Sequence, residues 1–173
     1  ERFRVARDLA GRPNLGLYRV LIPDESRETE GLHVFYVHEL PVNGVWMGTN
    51  FAIVKETARL RAVEGGIDEP IPRVTAHELG HALGLDHRQD RTNLLASGTT
   101  GTILNAGEVA TARKTAQSIK GMLSVPALRE AASQSEAPRA RRLWSWLAEV
   151  PGGGGEAKAA LERLEAKPGE AVP

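Results

Sequence analysis

The stretch HELGHALGLDH, residues 77–87, decides more about this chain than any other part of the sequence. It contains three of the five histidines, and a glutamate directly follows the first of them. A lone histidine on an apolar helix is usually a core residue, but three histidines with a glycine at the helix exit argue against that interpretation. The pattern instead predicts a metal-binding helix followed by a turn.

Helical geometry explains why these residues suit a metal. Four residues are little more than one turn of α-helix, so His77 and His81 project from the same face and can meet one Zn²⁺. Gly84 allows the chain to leave the helix in a left-handed conformation, which brings His87 round as a third ligand. Three neutral imidazoles leave one coordination position for water, as in catalytic zinc sites. Glu78 flanks the metal and can take the proton of that water.

The pattern H-E-x-x-H-x-x-G-x-x-H resembles the zinc-binding signature of the metzincin metallopeptidases. Residues 93–98, NLLASG, resemble the Met-turn region of bacterial matrixin-like members, with Leu95 at the methionine position. Leu and Met have similar volumes, so we expect the zinc site to tolerate this departure. The resemblance covers about residues 15–123.

The resemblance implies an α+β fold, with a metzincin-like twisted mixed sheet, an active-site helix and C-terminal helices. It also implies an edge strand within Val45–Val54 that aligns an extended peptide, with Gly48 admitting the substrate backbone. The implied function is a zinc-dependent endopeptidase. It would hydrolyse a peptide or protein substrate through a zinc-activated water, with Glu78 as general base.

Two alternatives stay open. The first is a non-catalytic binding module that keeps the metal fold, although such a module has no need of Glu78. The second is a latent peptidase inhibited by its own C-terminal segment. The chain has no cysteine, which excludes a thiolate switch within it, as well as disulfides and thiolate zinc ligands.

Composition narrows the classes of partner. The chain has 173 residues, enough for one domain with a core, and equal numbers of basic and acidic residues, 22 each. This balance does not favour nucleic acid, and no apolar run is long enough to span a bilayer. The chain begins at Glu1. We expect a secreted or extracytoplasmic protein whose export signal is not in this sequence.

The remaining residues predict the elements around the motif. Leu15–Ile22 and Leu32–Val37 have the composition of strands, separated by a solvated loop at Asp24–Glu30. One or two further strands are expected in Val45–Val54, and a short helix in Thr57–Val63. Pro72 suits the first turn of the motif helix.

Three segments are predicted along the chain: a catalytic domain at 1–123, a docked C-terminal helical extension at 124–151, and a Gly-rich linker with a charged tail at 152–173. Asn105 has the character of an N-cap with Glu108 as its reciprocal partner. The helix that follows has apolar residues at helical spacing as far as Leu123.

Two further features carry weaker signals. His33 and His38 flank a predicted strand and are five apart, so they face opposite sides of it, which favours surface or packing roles over a second metal site. Asp86 either accepts a hydrogen bond from an imidazole N–H or is a solvated turn residue.

Overall fold

A computed structural model describes residues 18, 22–150 and 154–165. The fold is α+β, as the sequence predicted, and the described residues contain three strands and six helices. The chain divides into two units, Glu1–Met122 and Leu123–Pro173. No helix in the described ranges has both the length and the apolar character needed to cross a bilayer.

The sheet of the first unit is small and mixed. Its strands are β1 (His33–Val37), β2 (Gly44–Trp46) and β3 (Phe51–Lys55), in the spatial order β1-β3-β2. β3 pairs in parallel with β1 and antiparallel with β2. Its first four residues are buried, because β3 is central and is covered on both faces. The predictions of a strand in 32–37 and of one or two strands in 45–54 are confirmed, and the second region contains two.

The segment before β1 differs from the prediction. Residues 24–28, expected to be loop, form the short helix α1 (Asp24–Glu28). Pro23 precedes the helix, and Asp24 and Glu25 place negative charge in its first turn, where the helix dipole favours it. The strand expected at Leu15–Ile22 lies almost entirely outside the described residues.

The helix expected at Thr57–Val63 is wrong. The chain makes a turn after β3 and then runs extended, and Arg61 forms a parallel bridge with Thr99. The Arg61 N–H donates to the Gly98 carbonyl at 2.9 Å, and the Thr100 N–H donates to the Arg61 carbonyl at 3.0 Å. These distant partners replace the local bonds that a helix would need.

The motif lies on α2 (Pro70–Ala82), which packs against β2 and β3. Pro70 and Pro72 are in its first turn, where a missing N–H costs no helical bond. Val74 is buried with Val54 and Ala58, which anchors the start of the helix on the sheet.

The next helix is α3 (Ala106–Ala116), and Asn105 and Glu108 form the predicted capping box at its start. The helix is shorter than expected, since it ends before Ile119 and Leu123. Ser118 donates both its N–H and its hydroxyl to the Thr115 carbonyl, and these short-range bonds compete with continued helix.

The second unit consists of α4 (Val125–Gln134), α5 (Ala137–Glu149) and α6 (Gly154–Glu165). Its core joins all three helices and contains Ala132, Ala140, Leu143, Trp144, Leu147, Ala157 and Ala160. Trp146 is 52% exposed and is not part of this core. α6 begins within the glycine run that we expected to be a linker. Docking of residues 124–151 on the catalytic domain stays a prediction.

Candidate metal centre and active site

The three motif histidines converge on one point. The Nε2 atoms of His77 and His87 are 3.2 Å apart, those of His77 and His81 are 3.2 Å apart, and those of His81 and His87 are 3.1 Å apart. Two nitrogens bound tetrahedrally to one Zn²⁺ at about 2.0–2.1 Å stand about 3.3–3.4 Å from each other. The donor atoms therefore fit a zinc ion.

Main-chain carbonyls orient two of the rings. Nδ1 of His77 lies 2.8 Å from the Leu94 carbonyl oxygen, and Nδ1 of His81 lies 2.7 Å from that of Leu85. Each Nδ1–H donates to its carbonyl, so each Nε2 presents a lone pair to the common point. Lone pairs this close repel one another, and a cation between them removes the repulsion. This arrangement independently supports a metal at the site.

The helix exit positions both the second and the third histidine. Gly84 has φ +80°, which favours glycine. The Gly84 N–H donates to the His81 carbonyl and the Leu85 N–H donates to the Gly80 carbonyl, both at 3.0 Å, which is the Schellman pattern. The same turn that brings His87 to the site therefore also supplies the carbonyl that orients His81.

Glu78 is held under the edge of the sheet. Its side chain is only 5% exposed, and its carboxylate accepts a hydrogen bond from the Trp46 backbone N–H. Burial raises the pKa of Glu78 to about 7, against the opposing effects of the Trp46 N–H and the Arg73 charge. A Cβ at Gly44 would lie 2.6 Å from the Glu78 Oε1 atom. Only a glycine at position 44 therefore allows β2 to lie this close to the Glu78 side chain.

The site also disfavours protonation of two of its histidines. Burial lowers the pKa of His77 to about 4, with the Leu94 carbonyl opposing this shift and the Arg73 charge adding to it. Burial also lowers the pKa of His87, while the charge of the exposed Asp86 acts in the opposite direction. Neutral imidazoles are the form that binds a metal.

The turn after the motif lies against the ligand helix. Leu95 is fully buried, and its methyl carbons come within 3.2–3.3 Å of where a Cβ on Gly80 would stand. Leu94, one residue earlier, supplies the carbonyl that binds His77. This packing places the predicted Met-turn segment directly against the helix that carries the first two histidines.

An open cleft of about 710 Å³ leads to these groups. It lies between β2, α2 and the turn, and its lining includes Val42, Gly44, Trp46, Val74, Leu85 and Ser97. β2 is at the edge of the three-stranded sheet. Gly48, which we expected to admit substrate backbone, lies in the β2–β3 turn and is not part of this lining, whereas Gly44 is.

The other two histidines lie elsewhere. Nε2 of His33 is 3.1 Å from the Thr29 hydroxyl, and Nδ1 of His38 is 3.7 Å from a carboxylate oxygen of the exposed Glu56. The structure therefore gives each of them a separate polar contact.

Two buried charged side chains were missed as parts of the site. Arg73, 2% exposed, lies one helical turn before His77, and its position on the same face of α2 as His77 is the signal that could have revealed it. Glu108 was predicted only as a helix cap, but it also binds Asn93 and Arg88. The sequence pattern gives no indication that Glu108 contacts Asn93 and Arg88, because they lie 15 and 20 residues away along the chain.

The comparison with known proteins agrees with this geometry. Residues 46–119 match the family model for matrixin, Peptidase_M10. No curated protein and no solved structure matches the chain significantly. The matched range runs from the last residue of β2 into the turn after α3 and includes all three motif histidines. The match and the histidine triad together fit a metzincin metallopeptidase.

Proposed function

We propose that this chain is a zinc-dependent endopeptidase of the bacterial matrixin-like type. The observation that carries the proposal is a buried carboxylate, Glu78, beside three imidazoles whose Nε2 atoms lie within 3.2 Å of one another. A binding module would need the histidines but not a buried carboxylate with a pKa near neutrality.

His77, His81 and His87 would hold Zn²⁺ through their Nε2 atoms. When bound, the ion supplies a Lewis acid for the scissile carbonyl and lowers the pKa of water. The Leu94 and Leu85 carbonyls keep two of the rings in the tautomer that leaves Nε2 free. Leu95, at the position of the family's methionine, would form the apolar floor beneath the ligands.

Glu78 would act as the general base and then as the general acid. Its carboxylate accepts a proton from the attacking water and passes it to the leaving amine, so no net proton is gained by the protein. In the metal-free site burial raises the pKa of Glu78 to about 7, and a raised pKa makes a carboxylate a better proton acceptor. The Trp46 N–H fixes the orientation of the carboxylate during these transfers.

The peptide substrate would bind along β2. Among the residues that the structure describes, this strand pairs with β3 alone, so its other side can bond an extended peptide by main-chain pairing. Because Trp46 also bonds Glu78, the strand that aligns the substrate also holds the base. A secreted or extracytoplasmic location remains our expectation for this activity.

The test combines metal analysis with cleavage of an unfolded protein. We expect about one zinc per chain, loss of cleavage with a chelator, and recovery when zinc is added back. His81→Ala should lose both zinc binding and cleavage activity. The control His38→Ala should keep both, because His38 is exposed and its contact is with Glu56 and not with the motif histidines. Absence of near-equimolar transition metal after zinc loading refutes the proposal. Zinc binding without cleavage by the wild-type chain favours the binding module.

A further inference from the structure

The guanidinium of Arg73 is buried among main-chain carbonyls beside the triad. Its side chain is the largest of the fully buried ones among the described residues. Nη2 donates to the Ala96 carbonyl at 2.6 Å and to the Asn93 carbonyl at 3.4 Å, and Nε donates to the Gly101 carbonyl at 3.0 Å. Burying a cation costs several kcal/mol unless such bonds compensate it. The carbonyls of the turn 93–101 supply that compensation for Arg73.

The carbonyls that bind Arg73 flank the one that binds His77. Leu94 lies directly after Asn93 and two residues before Ala96, and its own carbonyl is 2.8 Å from His77 Nδ1. Any movement of the turn relative to α2 would therefore change the hydrogen bond that orients the first histidine. Arg73 is four residues before His77 on the same helical face, so it ties the turn to the helix at that point.

Arg73 also contacts the ring of His77 directly. Nη1 of Arg73 lies 3.1 Å from His77 Nδ1. That nitrogen can either accept from Arg73 or donate to Leu94, and the contact with the Leu94 carbonyl oxygen, at 2.8 Å, is the shorter one, which favours the Nδ1–H tautomer.

We propose that Arg73 is a positioning residue whose planar guanidinium clamps the turn 93–101 so that Leu94 holds His77 in its Nδ1–H tautomer. Arginine suits this role because its donors form a rigid fork that can reach several carbonyls at once. Lysine has the same charge but only a compact ammonium, and it cannot span the same set of carbonyls. This role of Arg73 rests on the proposed function, because it serves a zinc site, but the tautomer of His77 can be measured whether or not the chain is a peptidase.

The tautomer of His77 can be read directly in metal-free protein. Long-range ¹H–¹⁵N NMR of the imidazoles should show His77 with its proton on Nδ1 in wild type, and a mixture of tautomers in both Arg73→Lys and Arg73→Met. Arg91→Met is the matched control, because Arg91 is exposed, lies near the same turn and carries the same charge. We expect wild-type tautomers in that control.

Metal binding supplies the second readout. Chelator competition should show zinc affinity about 10–100-fold lower in both Arg73 variants, as is usual when a partner of a ligating histidine is removed. The visible spectrum of the cobalt-loaded protein should change in the same two variants. Arg91→Met should match wild type in both measurements.

Three results overturn the clamp. Arg73 would be purely structural if both variants kept the wild-type His77 tautomer, zinc affinity and cobalt spectrum and only their free energy of unfolding fell. Wild-type behaviour in Arg73→Lys with impairment in Arg73→Met would assign the effect to charge and not to the fork. If Arg73→Met does not fold, a wild-type His77 tautomer in Arg73→Lys is by itself enough to refute the clamp. A wild-type chain that binds no zinc refutes the proposed function, while the NMR test of Arg73 still stands.

Discussion

The side chain of Asn93 donates to the carboxylate of Glu108, with Nδ2 at 2.9 Å from Oε2 and at 3.2 Å from Oε1. Both side chains are buried. The Asn93 Oδ1 atom accepts the Leu95 N–H at 2.7 Å, and Arg88 Nε donates to the Glu108 Oε1 atom at 2.6 Å. One carboxylate on α3 therefore holds both the turn beneath the triad and the residue that follows His87.

We predict that Glu108→Gln lowers the free energy of unfolding by about 2–3 kcal/mol, because charged hydrogen bonds to Arg88 and Asn93 are weakened in a buried place. Chemical denaturation of the metal-free protein measures this. Glu64→Gln makes the same chemical change at an exposed position of the same unit and should have little effect. Equal losses in the two variants would contradict a special role for Glu108.

The effect of Glu108→Gln should depend on pH. Burial alone would raise the pKa of Glu108, but bonds from the Asn105 N–H, Asn93 and Arg88 outweigh it and hold the pKa below its ordinary value. A depressed folded pKa stabilises the protein above the unfolded pKa, and this contribution is lost as pH falls through the folded one. The difference between wild type and variant should therefore shrink in acid. A constant difference down to acid pH would show that the carboxylate is not the cause.

We predict that Glu78→Gln keeps zinc and loses about 10²–10⁴-fold in the rate of peptide cleavage, since an amide preserves shape but cannot accept the proton. Zinc content and cleavage of an unfolded protein measure the two effects. Comparable cleavage by wild type and variant would show that Glu78 is not the base.

The same Glu78→Gln variant should be more stable than wild type without metal at pH 8. The folded pKa of about 7 exceeds the ordinary value of 4.5, so the native state loses stability as pH rises between them. Removing the charge should raise the free energy of unfolding by about 1–3 kcal/mol at pH 8 and change it little at pH 4. A variant less stable than wild type at pH 8 would contradict the burial cost assigned to Glu78.

We predict that Gly44→Ala separates metal binding from catalysis. The added methyl would lie 2.6 Å from Glu78 Oε1 and 2.7 Å from Val74 Cγ1, so the carboxylate must move. Zinc affinity should stay near wild type, whereas kcat/KM should fall by about 10²-fold, the usual cost of misplacing a catalytic group by about 1 Å. Gly155→Ala, with open space around its added Cβ, is the control. Full activity in Gly44→Ala would mean that the approach of β2 to Glu78 does not matter.

We predict that Leu95→Met leaves zinc affinity within a small factor of wild type. The side chain is fully buried against α2 at Gly80, and the two residues are close enough in volume for a change under about 1.5 kcal/mol. Chelator competition measures the affinity. A large gain in affinity on restoring methionine would mean that the floor of the site is impaired in this chain.

Truncation tests the latent-peptidase alternative. A chain ending at Met122 removes the whole second unit, whose core is formed by its own three helices. We expect such a chain to keep its zinc and its cleavage rate, which metal analysis and peptide cleavage would measure beside the full chain. A much more active truncated chain would assign residues 123–173 an inhibitory role.

The features that could be predicted are those decided by neighbours along the chain. The spacing of His77 and His81 places them on one helical face, and the exit at Gly84 needs only the bonds of a single turn. The capping box of Asn105 and Glu108 likewise closes over three residues. In each case the residues that interact are within one or two helical turns, so local geometry is sufficient.

Tertiary structure decided the rest, because the partners are far apart in sequence. Thr57–Val63 has helical character, yet Arg61 bonds to residues 98–100, and these bonds are incompatible with a helix. The placement of β2 over Glu78 depends on how the sheet packs on α2. Arg73 can be buried only because the turn 93–101 folds back and offers it three carbonyls. Local spacing was enough to predict which side chains would bind a metal, whereas long-range packing decided which groups orient those side chains and shift their pKa values.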